Sequence, residues 1–240
     1  MNVRFLSLGD TALVVEFGDR VERVLSDRVL TLSTLVLEAK LPGVVETVPT
    51  FRSLTVHYDP LVTASASLID SIGKLLYATT GAAVQMKLWR VPACYAPAHA
   101  PDLAEVAERT GLAADEVVRL HSSAVYHIYM MGFVPGFPYM GDVPQSLVLP
   151  RRTDPRTRVP AGSIAIATTL TAIYPLESPG GWHLIGSTPV RLFDATLPRP
   201  ALFSPGDAVK FEPVTVDEFD SIRAAVAAGT YEVPSEARTT

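Results

Sequence analysis

"MGFVPGFPYMG", Met131 to Gly141, puts three glycines, two prolines and three aromatics into eleven residues. Pro135 and Pro138 each remove a ladder donor, so the stretch is no ordinary core strand. Phe133, Phe137 and Tyr139 are too closely spaced for a free solvent loop. Aromatic faces are therefore expected on a rigid, irregular backbone. They would serve either as a plug at the end of a β structure or as a wall on which a ligand stacks.

Around this stretch the chain reads as β structure. Beyond Tyr126, short strands are separated by Pro and Gly, the pattern of a closed or strongly curved sheet. Near 102–110 and 114–121 the spacing predicts two short amphipathic helices. Thr215 and Glu218 in "TVDEF" have capping-box spacing for a last helix, and Gly229 sits where its C-terminal cap belongs.

The first third is different. "VRFLSL" and "ALVVEF" alternate as strands hinged at Gly9–Asp10. Val21, Val24, Leu25, Leu32, Leu35 and Val36 follow helical spacing up to a stop at Pro42–Gly43. "GVVETVP" and "SLTVHYD" read as strands, and Ala66 to Tyr77 as a second helix. The fold expected is α+β: a small ββαββα domain over residues 1–84, joined through "TTGAAVQ" to a β-rich domain over 85–240.

A net charge of −5 and a pI near 5.5 give no broad attraction for nucleic acid or an anionic membrane. Cys94 is the only cysteine, so no disulfide forms within the chain, and "VPACY" reads as a small buried hydrophobe. The start, "MNVRFLSLGD", lacks the basic-then-apolar pattern of a signal peptide, and a cytoplasmic protein is expected. There is no Walker A sequence, no strand followed by G-x-G-x-x-G, and no G-x-S-x-G. His121 and His127 lie too far from any carboxylate or cysteine pattern to suggest a metal site, and none is expected.

Two further stretches carry chemistry. "PRRTDPRTRVPAGS", 150–163, holds Arg151, Arg152, Arg156 and Arg158, whose forks suit carboxylate or phosphate. Arg152 is expected in a solvated loop. Arg158, leading into a turn before Ser163, is the better ligand candidate. In "YPLESPGGWHLIGSTP", 174–189, Pro179-Gly180-Gly181 lets the main chain approach a ligand. His183 beside Glu177 would make a general acid–base pair if the fold joins them. The catalytic candidates are His183, Tyr174 and Glu177. The binding candidates are Phe133, Pro135, Phe137, Tyr139, Arg158, Ser163, Ser178, Gly180, Gly181 and Trp182.

"YMMGFVPGFPYMG", "PRRTDPRTRVPAGS", "IYPLESPGGWHLIG" and "TPVRLFD", in this order, closely resemble the KipI/PxpB family. Its members are B-type subunits of 5-oxoprolinase, also called allophanate hydrolase subunit 1, within the carboxyltransferase-domain subdomain C/D group. "VPACY", "PDLAEVAE" and "VVRLHSS" fit upstream, and the resemblance spans most of residues 3–214. It implies an N-terminal α+β domain and a cyclophilin-like β-barrel, a KipA/PxpC-like partner subunit, and a LamB/YcsF (PxpA)-like third subunit. Such assemblies use ATP to open the lactam of 5-oxoproline to glutamate, so a small-molecule amide substrate and ATP in the assembled complex are implied. One branch of the family instead inhibits a sporulation histidine kinase, which leaves a non-catalytic regulator as the alternative.

The chain departs from the family pattern in three places. A run usually close to "VGIAGGQTG" is "IAIATTLTA" here, with Ala165, Thr168, Thr169, Leu170 and Ala172 replacing glycines and a glutamine. The acidic residue of "CYGGE" is lost in "CYAPA", and the basic residue of "IGRTP" is Ser187. From these changes Thr168, Thr169 and Leu170 are expected to form a regular strand that narrows the pocket, with weak or no 5-oxoprolinase activity.

Overall fold

The computed structural model describes residues 3–77 and 86–238. They form two compact units, divided between Met86 and Lys87. The "TTGAAVQ" junction and the boundary expected at 84/85 lie outside the described residues.

In the first unit, β1 (Arg4–Leu8), β2 (Ala12–Glu16), α1 (Arg23–Ala39), β3 (Val44–Pro49), β4 (Ser53–Tyr58) and α2 (Ser65–Tyr77) follow in order. Their antiparallel sheet runs β1-β2-β4-β3. Alternation along β4 turns Leu54, Val56 and Tyr58 to the core, where they meet Leu25, Val29, Leu32 and Val36 of α1 and Leu68 and Ile72 of α2. Val21 and Val24, expected on the apolar stripe, are exposed instead. α1 also stops before Pro42, because Lys40 turns into the left-handed region at φ 46°.

The second unit holds β5 (Met86–Ala93), α3 (Leu103–Thr110), α4 (Ala114–Ser123), β6 (Tyr126–Met131), β7 (Pro138–Gly141), β8 (Arg156–Val159), β9 (Ser163–Ala167), β10 (Leu170–Ile173), β11 (Ser178–Gly180), β12 (His183–Ser187), β13 (Ala208–Pro213), α5 (Val216–Ala227) and β14 (Ser235–Arg238). An eight-stranded mixed sheet runs β12-β9-β10-β7-β6-β13-β5-β14, with β13 and β5 parallel, and β8 pairs with β11 as a separate ribbon. Among the described residues this ladder does not close into a barrel. One bridge, in which Cys94 and Ser187 exchange backbone hydrogen bonds of 2.8 and 2.9 Å, ties the end of β12 to the residue after β5. The capping box at Thr215 and Glu218 forms as the spacing predicts.

"IAIATTLTA" is not one regular strand. β9 and β10 pair antiparallel with Ala167 opposite Leu170, so Thr168 and Thr169 make a two-residue hairpin turn. Thr168 has φ 53°, a conformation that costs a β-branched residue about 1–2 kcal/mol and that glycine adopts freely. Thr168→Gly is therefore expected to stabilise the protein by about 1 kcal/mol, after the entropy of the freer unfolded chain offsets part of the gain. A urea titration checks this, and an unchanged or lower midpoint would contradict it.

Candidate functional site

Phe137 is buried at the centre of an aromatic cluster. Its ring centroid lies 5.4 Å from Phe133, 5.0 Å from Tyr139, 5.1 Å from Tyr174 and 6.2 Å from Trp182. Three of these contacts are near-perpendicular, the geometry that the ring quadrupole favours. The loop between β6 and β7 sets the arrangement. The Gly132 N–H donates to the Phe137 carbonyl, and the Phe137 N–H donates to the Val134 carbonyl. Gly136, at φ 80°, lies so close to Phe193 that a Cβ would come within 2.7 Å of it. Phe133 is held at φ 69° with its ring largely exposed, a strained placement of the kind that clusters at ligand sites.

Opposite this wall, β10 leads into Tyr174, and the Pro179-Gly180-Gly181 turn passes directly over its ring. A Cβ at Gly180 would collide with the Tyr174 hydroxyl, which is why glycine stands there. Between the two walls lies a cavity of about 300 Å³ lined by Phe133, Phe137, Tyr139, Tyr174, Gly180, Gly181 and Trp182, together with Arg151, Arg152, Pro155 and Pro179. Burial pushes the Tyr174 phenol up to about 12 and raises that of Tyr139, so both stay protonated near neutrality and can donate.

The arginines divide by role. Asp102, at the start of α3, turns its buried carboxylate away from the helix. It accepts from Arg156 at 2.9 Å and from the Leu184 N–H at 2.7 Å, with Arg152 at 3.4 Å. Arg152 also donates to Glu105 at 2.8 Å, and this bond holds the Glu105 carboxyl below its ordinary range. Arg152 is therefore largely buried in a network, not solvated. Arg158 is exposed and forked onto Glu177 at 2.9 and 3.0 Å. Arg151 alone of the four has no carboxylate partner among the described residues, and its guanidinium stands 5.9 Å from the Trp182 ring centroid, at the cavity.

Six of the binding candidates line this one cavity, Phe133, Phe137, Tyr139, Gly180, Gly181 and Trp182, and with them the catalytic candidate Tyr174. The others are elsewhere. His183 and Glu177 do not form a pair. β12 turns His183 inward to full burial, where Nε2 donates to the Pro150 carbonyl at 3.0 Å and Nδ1 lies 3.9 Å from Glu105. Glu177 is held outside by Arg158. Ser163 lines a different cavity, Ser178 is buried with its hydroxyl unpaired, and Pro135 is exposed on the loop. The sequence reading singled out neither Arg151, hidden among four like residues, nor Asp102, whose place before a helix reads as an ordinary cap.

Thr168, Thr169 and Leu170 are absent from the cavity lining. The turn that the two threonines form cannot narrow it in the way expected of a strand. Of the replaced positions, Ala165 and Ala172 are buried beneath the aromatic cluster, and Leu170 packs against its edge. Among the described residues, no group of three His, Cys, Asp or Glu side chains is placed to share a metal ion, and no helix is long and apolar enough to cross a membrane.

Comparison with known proteins places this geometry in context. The family described as carboxyltransferase domain, subdomain C and D, matches residues 3–203. The chain is 34% identical to the B-type subunit of 5-oxoprolinase from Bacillus subtilis (strain 168) over 236 residues, 93% of this chain and 98% of that one. It is 38% identical to the B-type subunit of 5-oxoprolinase from Escherichia coli O157:H7 over 206 residues, 86% of this chain and 94% of that one. Among solved structures, TTHA0988 superposes with a TM-score of 0.76 at 36% identity, covering 85% of this chain but only 40% of that longer one.

Proposed function

Because the chain belongs to the family of carboxyltransferase domains, subdomain C and D, we propose that it is the B-type subunit of an ATP-dependent amide hydrolase that opens the lactam of 5-oxoproline. The observation that carries this reading is the aromatic cavity with one uncommitted guanidinium. Its volume is at the small end for ligand pockets, roughly 300–1,000 Å³. A small flat ring packs on the cavity wall of Phe133, Tyr139 and Trp182, its carboxylate meets the fork of Arg151, and the protonated Tyr174 hydroxyl donates to the lactam oxygen.

Among the described residues, no carboxylate or imidazole lines the cavity: Asp102 and Glu105 are bound to arginines, and His183 is sealed behind the wall. This subunit therefore binds and orients, while proton transfer and hydrolysis need groups from a KipA/PxpC-like and a LamB/YcsF-like subunit. A lactam amide is a poor electrophile, and phosphorylation of its oxygen at the expense of ATP makes ring opening feasible. Protonated hydroxyls and guanidinium groups stabilise the charge that develops there. In this reading the tied eight-stranded sheet is a variant of a cyclophilin-like barrel, residues 85–240 act as the ligand domain, and the assembly works in the cytoplasm. The lack of a base in the cavity also favours a second reading, a KipI-type regulator that lowers the autophosphorylation of a sensor kinase.

The test is co-expression with the KipA/PxpC-like and LamB/YcsF-like subunits, followed by ATP-dependent release of glutamate from 5-oxoproline. Arg151→Ala is expected to raise KM roughly ten- to a hundredfold with little change in kcat, the loss of one charge-assisted pair. Arg119→Ala, on an exposed face of α4, should leave KM unchanged. Equal effects from the two would remove Arg151 from the site. No turnover with a stable complex, together with kinase inhibition by the free chain, would favour the regulator.

A further inference from the structure

A second and larger cavity of about 550 Å³ lies in the same unit, between the turn at 160–162, the end of β12 and α5. Its lining includes His99, Arg191, Arg223 and the Ser187 hydroxyl and, among the described residues, no carboxylate, although the whole chain carries a net charge of −5. The His99 Nδ1 lies 2.7 Å from the Ser187 Oγ. The imidazole packs on Phe219 with ring centroids 4.3 Å apart, and Arg223, one turn further along α5, stands 5.8 Å from the centre of the same ring. Phe219 thus positions one imidazole and one guanidinium together at the cavity. Arg191 is paired with Asp194 at 2.9 Å and Arg223 with Asp220 at 3.0 Å. Both pairs are solvent-exposed, and each occupies only part of its guanidinium.

Ala98 and Ser187 both line the cavity. The Ser187 hydroxyl stands within hydrogen-bond reach of His99 in this wall. We propose that this cavity is a second ligand site, for a small molecule bearing a phosphate group. Guanidinium forks, an imidazole and a hydroxyl suit phosphate oxygens, and Leu184, Val190 and Phe219 offer apolar surface to the rest of the ligand. The volume exceeds that of the aromatic cavity and leaves room for a body beyond the phosphate, such as a sugar or nucleoside. The proposal stands apart from the lactam reading, which uses none of these side chains.

The test is calorimetric titration of the full chain with ADP, ribose 5-phosphate and inorganic phosphate. Binding of at least one of them is expected, weakened tenfold or more by Arg223→Ala and by Ala98→Glu. The second variant introduces a carboxylate at an exposed position without touching the core. Tight binding of ADP alone identifies a nucleotide site, and equal binding of ADP and ribose 5-phosphate shows that the phosphate is read with its sugar. Similar binding of all three shows that the phosphate alone is read. A wild-type chain that binds none of them, or binding indifferent to both variants, overturns the proposal. A parallel titration with 5-oxoproline, which reports on the Trp182 cavity, separates that failure from a failure of the lactam reading.

Discussion

Replacing Asp102 with alanine is expected to destabilise the protein by about 3 kcal/mol or more, the usual cost of removing one partner from a buried ion pair. The Asp102 side chain is 4% exposed, against 27% for Arg156 and 22% for Arg152. Without the carboxylate, Arg156 loses its counter-charge, Arg152 is left with Glu105 alone, and the Leu184 N–H loses its acceptor. The partial exposure of the arginines keeps the cost toward the lower end of the range. Asp102→Asn retains an acceptor but not the charge, and about half the loss is expected. The consequence reaches the aromatic cavity, because the backbone N–H of Arg152 donates to the Gly181 carbonyl at 2.8 Å and Arg151 precedes it. Urea unfolding of both variants checks the order. A loss below about 1 kcal/mol in the alanine variant would show that the network carries little stability.

The second large effect is a dependence on acid through His121. This histidine is fully buried, and burial lowers its pKa to about 3. Its hydrogen bonds assign the tautomer. Thr171 Oγ1 donates to the Ala165 carbonyl, so it accepts from the His121 Nε2–H, which leaves Nδ1 to accept from the Tyr95 hydroxyl. A second proton on the ring would reverse the Tyr95 bond, deprive the phenol proton of this acceptor and leave a charge in the core. The unfolded chain takes up that proton near pH 6.5 and the folded protein only near pH 3, so between these values the unfolded state binds more protons. The contribution is complete above about pH 6.5 and is lost as pH falls towards 3, at about 1.4 kcal/mol per unit and on the order of 5 kcal/mol in all. In His121→Gln, which does not titrate, stability between pH 6 and 4 should fall less steeply by up to that slope. Parallel stability profiles for wild type and variant would contradict the assignment.

The legible parts of this protein were those in which local pattern and final environment agree. β4 alternates in sequence and in burial, and Thr215 with Glu218 closes its capping box because both partners lie within one helical turn. The aromatics of Met131–Gly141 were legible for a different reason: Pro and Gly hold them on one rigid loop, so proximity in sequence becomes proximity in space. His183 and Glu177 show where that inference stops. They are six positions apart, yet β12 buries one while the β8–β11 ribbon holds the other in solvent. Thr168 and Thr169 read as strand formers, but pairing of Ala167 with Leu170 imposes a turn on them. The joining of Asp102 to Arg156, and of His99 to Ser187, depends on strand order and on the Cys94–Ser187 bridge, which no local pattern contains.

The most direct test of lactam binding by this subunit is titration of 5-oxoproline into the assembled complex in the absence of ATP, for wild type and Arg151→Ala. The proposed reading predicts saturable binding by wild type and an affinity roughly ten- to a hundredfold weaker in the variant, because among the described residues Arg151 at the aromatic cavity has no carboxylate partner of its own. Equal affinities, or no binding by a complex that is otherwise intact, would contradict it.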